Sequence, residues 1–181
     1  VTVLQLALAY AALANGGTLY QPQIVRAVET SAGTVVQEFT PRVRRQVDVS
    51  PENLSLVQKA LFAGVNEEGG TATKARIAGV DVSGKTGTAQ VSHKLARGAE
   101  AERVWYFNRE HAWFAGYSPS RAPEVAVVVL IEHGGAGGKH AAPVAMDAVA
   151  AYNRLFRERG GPRAGTSSAG RTPAKAVGGA P

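Results

Sequence analysis

The chain has 181 residues, of which 45% are hydrophobic and 19% charged, a composition that fits one modest globular domain. It contains no cysteine, which excludes disulfides, thiolate nucleophiles and cysteine metal sites. The formal net charge is +6, but Arg163, Arg171 and Lys175 lie in a C-terminal stretch without acids. The remainder carries only about +3, too little to indicate nucleic-acid binding.

The first part of the chain predicts two helices with a hairpin between them. Thr2 is expected to cap a helix that runs to Ala14, and the sequence Asn-Gly-Gly at residues 15–17 predicts a left-handed cap. Residues 24–29 and 34–39 predict a β-hairpin around a turn at 31–33. Ser50 is the expected cap of the second helix, with Pro51 at its first position. The predicted apolar stripes are Leu4, Ala7, Leu8 and Ala11 in the first helix and Leu54, Val57, Leu61 and Val65 in the second.

The second part predicts three strands and a last helix. A strand is expected from residue 80 to about 91, and two more at 112–117 and 125–132 form an antiparallel pair joined by a turn at 118–121. Pro143 is expected to begin the last helix. Its predicted buried face consists of Val144, Ala148, Val149, Tyr152, Leu155 and Phe156.

Two segments are expected to lie outside this framework. Residues 92–110 form a charged connector in which Trp105, Tyr106 and Phe107 are either a lid or partner surface or, as we favour, anchors to the body. Residues 160–181 contain one large apolar residue, Val177, and are predicted to be disordered. The domain boundaries follow as 1–158 for the folded part and 159–181 for the tail.

One lysine can be interpreted in two incompatible ways. Residues 79–86 fit the phosphate-loop pattern G-x-x-x-x-G-K-[ST], which would place Lys85 at the start of a helix in a nucleotide-binding protein. Lys85-Thr86-Gly87 also fits the K-T-G element of penicillin-binding proteins and serine β-lactamases, which requires a strand. β-Branched residues recur through this segment, and threonines flanking a glycine are poor helix starters, so we favour the strand.

Further segments carry a resemblance to a known family. The opening helix (residues 1–17), K-T-G-T-A-Q at 85–90, H-A-W-F-A-G-Y-S-P at 111–119 and the glycine-rich turn at 133–138 occur in this order. Over residues 1 to about 157 the chain resembles the C-terminal portion of the transpeptidase domain of class B penicillin-binding proteins, of the elongation (penicillin-binding protein 2) type. The resemblance implies an α+β fold in which an antiparallel sheet packs with helices. Val3 departs from the family's usual proline at a helix start.

A larger departure concerns the nucleophile. Such enzymes use a serine in Ser-x-x-Lys and a second Ser-x-Asn element. Neither spacing occurs in the 181 residues. We therefore expect the chain to be the C-terminal part of a longer enzyme; a truncated gene product, or one piece of a complex that supplies the serine, remain alternatives.

The resemblance also implies roles for individual residues. Lys85 would act electrostatically beside the nucleophile and the substrate carboxylate, which the hydroxyls of Thr86 and Thr88 would bind. Gly87 would leave room beside the ammonium group. The Thr88 N–H would contribute to an oxyanion hole, and the edge formed by Thr88, Ala89 and Gln90 would pair with the peptide. In an ideal strand the threonines face away from Lys85, so the sequence leaves open how their hydroxyls reach the same site.

No other polar residue indicates a site. The four histidines lack metal-ligand spacing, and His133 and His140 are expected to be polar loop residues. Asp81 and Glu132 lie near predicted strand ends and are expected to be solvated. No metal or organic cofactor is expected.

The resemblance implies a peptidoglycan D,D-transpeptidase that cross-links D-Ala-D-Ala stem peptides and is acylated by β-lactams. It would act at the periplasmic face of the inner membrane, with cell-elongation membrane proteins as partners through a part outside this sequence; the 181 residues contain no 18-residue apolar run. By itself the chain is expected to be inactive. A non-catalytic binding or scaffold module and a phosphate-loop protein are the alternative functions.

Overall fold

A three-stranded antiparallel sheet lies at the centre of the structure. The computed structural model describes residues 1–91 and 105–157. The sheet consists of β5 (Ser83–Ala89), β6 (His111–Ser118) and β7 (Val125–Ile131), in that order. β5 and β6 pair from Ser83 opposite Tyr117 to Ala89 opposite His111. The predicted α+β class, the strand through the K-T-G element and the β6–β7 pair are confirmed.

Two helices of the first part are confirmed with their caps. α1 (Val3–Ala14) begins in a capping box in which Thr2 and Gln5 exchange hydrogen bonds. Gly16 and Gly17 follow it with φ of 88° and 97°, as the predicted left-handed cap requires. α2 (Pro51–Asn66) begins at the predicted cap Ser50, whose hydroxyl accepts the Asn53 N–H.

Four short strands separate these helices. β2 (Ala27–Glu29) and β3 (Val35–Glu38) form the predicted hairpin, although each strand is shorter than expected. β1 (Thr18–Tyr20) pairs with β4 (Val43–Gln46), a sheet that the sequence analysis did not predict. These strands are three or four residues long and contain charged or polar residues, so neither carries a recognisable alternation.

The hydrophobic core lies between one face of the sheet and the last helix, α3 (Gly137–Tyr152). Ala112 and Phe114 of β6 are fully buried against it. The helix α2 contributes Val65 to the same cluster and Leu61 is also buried, whereas Leu54 is half-buried and Val57 is exposed. In α1 the predicted stripe is mostly half-buried, and Leu4 is exposed.

Two predictions for the last helix are wrong. It begins at Gly137, and Pro143 lies inside it. The sequence did not predict this earlier start because glycine has a low helix propensity and two glycines occupy the first two positions. Of the predicted buried face, Val149 is buried as expected, whereas Val144, Ala148, Leu155 and Phe156 are exposed and Tyr152 is half-buried. The other buried side chains of this helix are Ala141, Ala142, Ala145 and Met146. The helix packs closely on the sheet through alanines. The prediction overlooked them because it selected large apolar side chains for the buried face. Asn153–Arg157 continue the helix as a π-helical turn.

The connector before β6 is partly described. Residues 105–107 form a helical turn, and the rings of Tyr106 and Phe107 contact the ring of His133, with centroids 5.0 and 5.6 Å away. These contacts support the anchoring interpretation for Tyr106 and Phe107, whereas Trp105 is exposed and its ring lies against the Arg109 guanidinium. The predicted connector residues 92–104 and the predicted disordered tail lie outside the described residues. Within residues 1–91 and 105–157, no helix is both long and apolar enough to cross a membrane.

Candidate active site

The K-T-G segment lies on an exposed edge strand. Lys85, Thr86 and Gly87 all belong to β5, which pairs with β6 on one side. Among the described strands none pairs with the other edge of β5. A phosphate loop would require a helix to begin at Lys85. Because the strand continues to Ala89, the phosphate-loop interpretation is wrong.

The ammonium group of Lys85 lies among threonine oxygens. Its Nζ donates to the Thr71 hydroxyl at 3.2 Å, to the Thr86 carbonyl at 3.1 Å and to the Thr86 hydroxyl at 3.3 Å. The Thr86 hydroxyl in turn donates to the Thr71 hydroxyl at 2.7 Å. Since none of these partners is an acid, the cation is not neutralised by them, and the cluster can accept an anionic group.

Thr71 explains how side chains from opposite faces of the strand meet. It lies in the loop after α2, beside β5, and its hydroxyl contacts both Lys85 and Thr86. Lys85 bends around the strand edge to reach the carbonyl of the next residue. The question that the sequence left open is therefore answered for Thr86: the ammonium and the hydroxyl converge at the edge of β5.

The start of α3 lies against the backbone of β5. A Cβ atom at Gly137 would collide with the carbonyl oxygens of Gly87 and Trp113, and one at Gly138 with the carbonyl oxygen of Thr71. Only glycine allows the helix to approach so closely. Gly87 itself has Trp113 on one side, 3.2 Å from where its Cβ would lie.

Thr88 connects the strand to this helix. Its hydroxyl accepts the Gly137 N–H at 3.4 Å. N–H groups at a helix start are unpaired within the helix and carry partial positive charge. The structure therefore places the Thr88 side chain at a helix N-terminus, while Lys85 lies at the other end of the motif. Thr88, Ala89 and Gln90 are exposed, and Ala89 ends the strand.

Polar contacts fix the other end of β5. Asp81 accepts the backbone N–H and the hydroxyl of Ser120, at 3.0 and 2.5 Å. The Ser83 hydroxyl donates to that of Ser120 at 2.9 Å, and Ser118 donates to the Asp81 carbonyl at 2.6 Å. Asp81 is exposed, as expected for a solvated residue, but it also holds the turn after β6. Burial, with a smaller contribution from the charge of Asp81, raises the pKa of Tyr117, and the Ser83 hydroxyl opposes this.

Of the two histidines beside the glycine turn, one lies where the sequence predicted and one does not. His133 lies in the turn after β7, as expected, and its N–H donates to His111 Nδ1 at 2.8 Å. His140 lies within α3 rather than in a loop, because the helix begins earlier than predicted. Glu132 is exposed, as expected. In the part of the chain that the structure describes, no group of three or more His, Asp and Glu residues is placed to hold a metal ion.

Comparison with known proteins identifies the family to which this fold and its candidate site belong. The model of the penicillin-binding protein transpeptidase domain matches residues 1–150. The chain belongs to the penicillin-binding protein transpeptidase family. The family resemblance inferred from the motifs is thereby confirmed.

Individual members of the family are similar over most of the chain. The peptidoglycan D,D-transpeptidase PbpA of Mycolicibacterium smegmatis is 32% identical, over 85% of this chain and 30% of its own length. The D,D-transpeptidase domain of a peptidoglycan glycosyltransferase from Eggerthella lenta is 31% identical with a TM-score of 0.65, covering 85% of this chain and 33% of that one. Penicillin-binding protein A of Mycobacterium tuberculosis, solved as an imipenem acyl-enzyme complex, is 29% identical with a TM-score of 0.63, covering 83% and 31%. The chain thus spans about a third of the length of these proteins.

Three residues of the site were missed by sequence reasoning. Thr71 was not singled out, since a lone threonine in a loop carries no recognisable pattern. Gly137 and Gly138 were noted only as part of a glycine-rich turn. Glycines are a signal of close backbone approach, but the sequence does not say which backbone they approach.

Proposed function

We propose that this chain forms the K-T-G wall of the active site of a peptidoglycan D,D-transpeptidase. The observation that carries the proposal is the cluster of Lys85, Thr86 and Thr71 on the open edge of β5. A cation surrounded by hydroxyl groups suits a carboxylate, such as the C-terminus of a D-Ala-D-Ala stem peptide. Hydroxyl protons can rotate toward such a group. Because the chain belongs to the transpeptidase family, binding of the substrate carboxylate is the role that we propose for the cluster.

The chemistry would be acyl transfer through a serine. A serine in a part of the protein outside this sequence attacks the D-Ala-D-Ala carbonyl, forms an acyl-enzyme and releases the terminal D-Ala. A neighbouring stem peptide's amine then displaces the serine and forms the cross-link. Splitting the reaction in this way replaces one difficult step by two easier ones.

This chain's residues would contribute binding and electrostatics to both steps. Lys85 supplies positive charge beside the serine, and Thr86 and Thr88 hold the substrate carboxylate. The Thr88 N–H stabilises the oxyanion as the carbonyl carbon becomes tetrahedral. Gly87 leaves space for the substrate because it has no side chain. The substrate peptide would pair as an additional strand with the exposed edge formed by Thr88, Ala89 and Gln90.

β-Lactams would acylate the same serine; the M. tuberculosis relative was solved as an imipenem acyl-enzyme complex. We further propose a role in cell-wall elongation, at the outer face of the cytoplasmic membrane, with elongation membrane proteins as partners of the rest of the polypeptide. The isolated 181 residues would be inactive, since they contain no Ser-x-x-Lys.

The proposal is tested with the full-length protein and a synthetic stem peptide that ends in D-Ala-D-Ala. Release of D-Ala and its exchange for a labelled D-amino acid are measured for the wild type, Lys85→Ala and Lys85→Arg. We expect Lys85→Ala to lose about 10²–10³-fold in rate, as when one electrostatic stabiliser is removed. A Lys85→Ala enzyme as active as the wild type would contradict the assigned role.

The non-catalytic alternative is tested in the same assay. A full-length wild-type protein that releases no D-Ala but still binds the stem peptide would favour a scaffold. Lys85→Arg keeps the positive charge but not the shape of the ammonium group, whereas Lys85→Ala removes both. Comparing their rates therefore separates the effect of the charge from the effect of the shape.

A further inference from the structure

A pair of histidines links the K-T-G strand to the start of α3. His111 is the first residue of β6 and pairs with Ala89 at the end of β5. His133 lies in the turn after β7 with φ of 54°, and its backbone N–H donates to His111 Nδ1 at 2.8 Å. The two rings meet edge to face, with centroids 4.8 Å apart. A ring nitrogen that accepts a hydrogen bond carries no proton, so this contact requires neutral His111.

Other contacts fasten the same turn to the segment before β6. The Gly135 N–H donates to the Glu110 carbonyl at 2.8 Å, and the Arg109 guanidinium lies 3.4 Å from the Gly134 carbonyl. His133 Nδ1 lies 3.3 Å from the Arg109 carbonyl. The other contacts named here use backbone carbonyl oxygens as acceptors. The His133 N–H instead uses His111 Nδ1, which stops being an acceptor when the His111 ring binds a proton.

The turn leads directly to the residue that touches Thr88. Four positions after His133, Gly137 begins α3 with its N–H directed at the Thr88 hydroxyl and its Cα against the Gly87 backbone. Glycine residues adopt many backbone conformations, so the sequence of a glycine-rich turn does not by itself fix the conformation of the turn. Its attachment to His111 therefore helps to determine where the helix start, and with it the Thr88 side chain, lies.

We propose that His111 is a positioning residue for the acyl transfer at the K-T-G strand, and that it acts only as the neutral imidazole. The inference depends on the proposed function, since it works through Thr88. On protonation, Nδ1 becomes a donor that faces the His133 N–H. The added charge lies beside the His133 ring, with centroids 4.8 Å apart. It is also repelled by basic groups of the adjoining elements, which are Arg109, whose guanidinium lies beside Gly135, and Lys139 and His140 of α3. Glu110 and Glu132, which flank the two histidines in sequence, oppose this effect.

The test compares two substitutions of His111 in the full-length protein. His111→Asn offers a carbonyl oxygen as acceptor but does not titrate. His111→Phe keeps a ring against His133 but has no acceptor. Each variant is first shown to fold by its unfolding temperature. The rate of acylation by a fluorescent penicillin is then measured from about pH 5 to pH 8, the range in which histidines titrate.

Hydrogen exchange of the amides of residues 131–138 is measured on the same samples. The ratio of the wild-type rate to the His111→Asn rate cancels groups that titrate elsewhere in the enzyme. We expect this ratio to be near one at pH 8 and to fall as the pH decreases. His111→Phe should acylate about tenfold more slowly than the wild type at pH 8, the size expected when a donor loses its acceptor. Its amides at 131–138 should exchange faster.

Several outcomes would overturn the inference. A constant wild-type to His111→Asn ratio would show that protonation of His111 has no effect. A His111→Phe variant that exchanges and acylates like the wild type would show that the contact positions nothing. A His111→Asn variant as slow as His111→Phe at pH 8 would show that the acceptor is not what matters. If the wild type itself is not acylated, the proposed function fails, and equal amide exchange in wild type and His111→Phe then overturns the inference separately.

Discussion

The hydroxyls of Thr71 and Thr86 lie 2.7 Å apart although fifteen positions separate the two residues in sequence. Thr71 belongs to the loop after α2, and Thr86 to the middle of β5. Their contact, together with the Lys85 ammonium on the Thr71 hydroxyl, joins a loop to the K-T-G strand at its open edge. The side chains that the family pattern places together are thus held by a residue outside the motif.

Replacing Thr71 tests this arrangement. Thr71→Val keeps the shape of the side chain but removes the hydroxyl shared by Lys85 and Thr86. We expect penicillin acylation of the full-length protein to slow by about tenfold, the cost of one lost hydrogen bond to a charged group. Because Thr71 is exposed, the unfolding temperature should change little. Thr71→Ser keeps the hydroxyl and should retain most of the rate; a Thr71→Val enzyme as fast as Thr71→Ser would contradict the role.

Gly137→Ala should harm both stability and acylation. The added methyl group would collide with the carbonyl oxygens of Gly87 and Trp113, so α3 must move away from the strand. We expect a loss of about 1–3 kcal/mol in the free energy of unfolding, as for other overpacked sites. Urea denaturation measures it. Lys139→Ala, two positions along the same helix and exposed, is the control and should change stability by less than about 0.5 kcal/mol. Equal stability of the two variants would argue against the close approach.

Ala136→Ser should stabilise the protein. Ala136 occupies the N-cap of α3 with an extended backbone and makes no side-chain cap, although a side-chain oxygen at this position can accept one of the N–H groups of the first helical turn. A serine there can accept one of them, a change that contributes about 1 kcal/mol elsewhere. A higher urea midpoint than the wild type is expected, with Ala136→Val as the branched control that cannot cap. No difference between the two variants would mean that the cap does not form.

Alkaline pH should destabilise the protein through Tyr117. Burial raises the pKa of Tyr117 and also that of Tyr10, so each proton is held more tightly in the folded state than in the unfolded state. This stability is fully present below about pH 10, where the unfolded tyrosines are protonated, and decreases as the pH rises further. Unfolding temperatures from pH 8 to pH 11 measure the effect. Tyr117→Phe should show a shallower decrease than the wild type, and a parallel curve would rule Tyr117 out as its source.

The sequence predicted the elements whose signals are local. Thr2 and Ser50 cap their helices as expected, because capping depends on a few neighbouring residues. The strand through Lys85 follows from β-branched residues, which favoured it over a phosphate loop before the structure showed that the strand continues to Ala89. Residues 111–118 and 125–131 carry long apolar or aromatic runs, and they pair as predicted.

The sequence failed where tertiary contacts decide. Gly137 and Gly138 are poor helix formers, yet they begin α3 because a side chain at Gly137 would collide with the backbone of β5 and β6, and one at Gly138 with the backbone of Thr71. Val144 and Leu155 were chosen for the core by their hydrophobicity, whereas Ala141 and Ala145 are buried because the helix sits too close for larger side chains. Thr71 reaches the site across a loop, a relationship that no spacing rule predicts.

We propose that this chain forms one wall of a penicillin-acylated serine site whose nucleophile lies elsewhere in the polypeptide. The most direct measurement is the mass of the full-length protein after incubation with benzylpenicillin, followed by peptide mapping of the adduct. We predict a single penicilloyl group on a serine outside the 181 residues, formed much more slowly in Lys85→Ala, and none on the isolated chain. An adduct on a residue of this chain, or a folded full-length protein that forms none, would contradict the account.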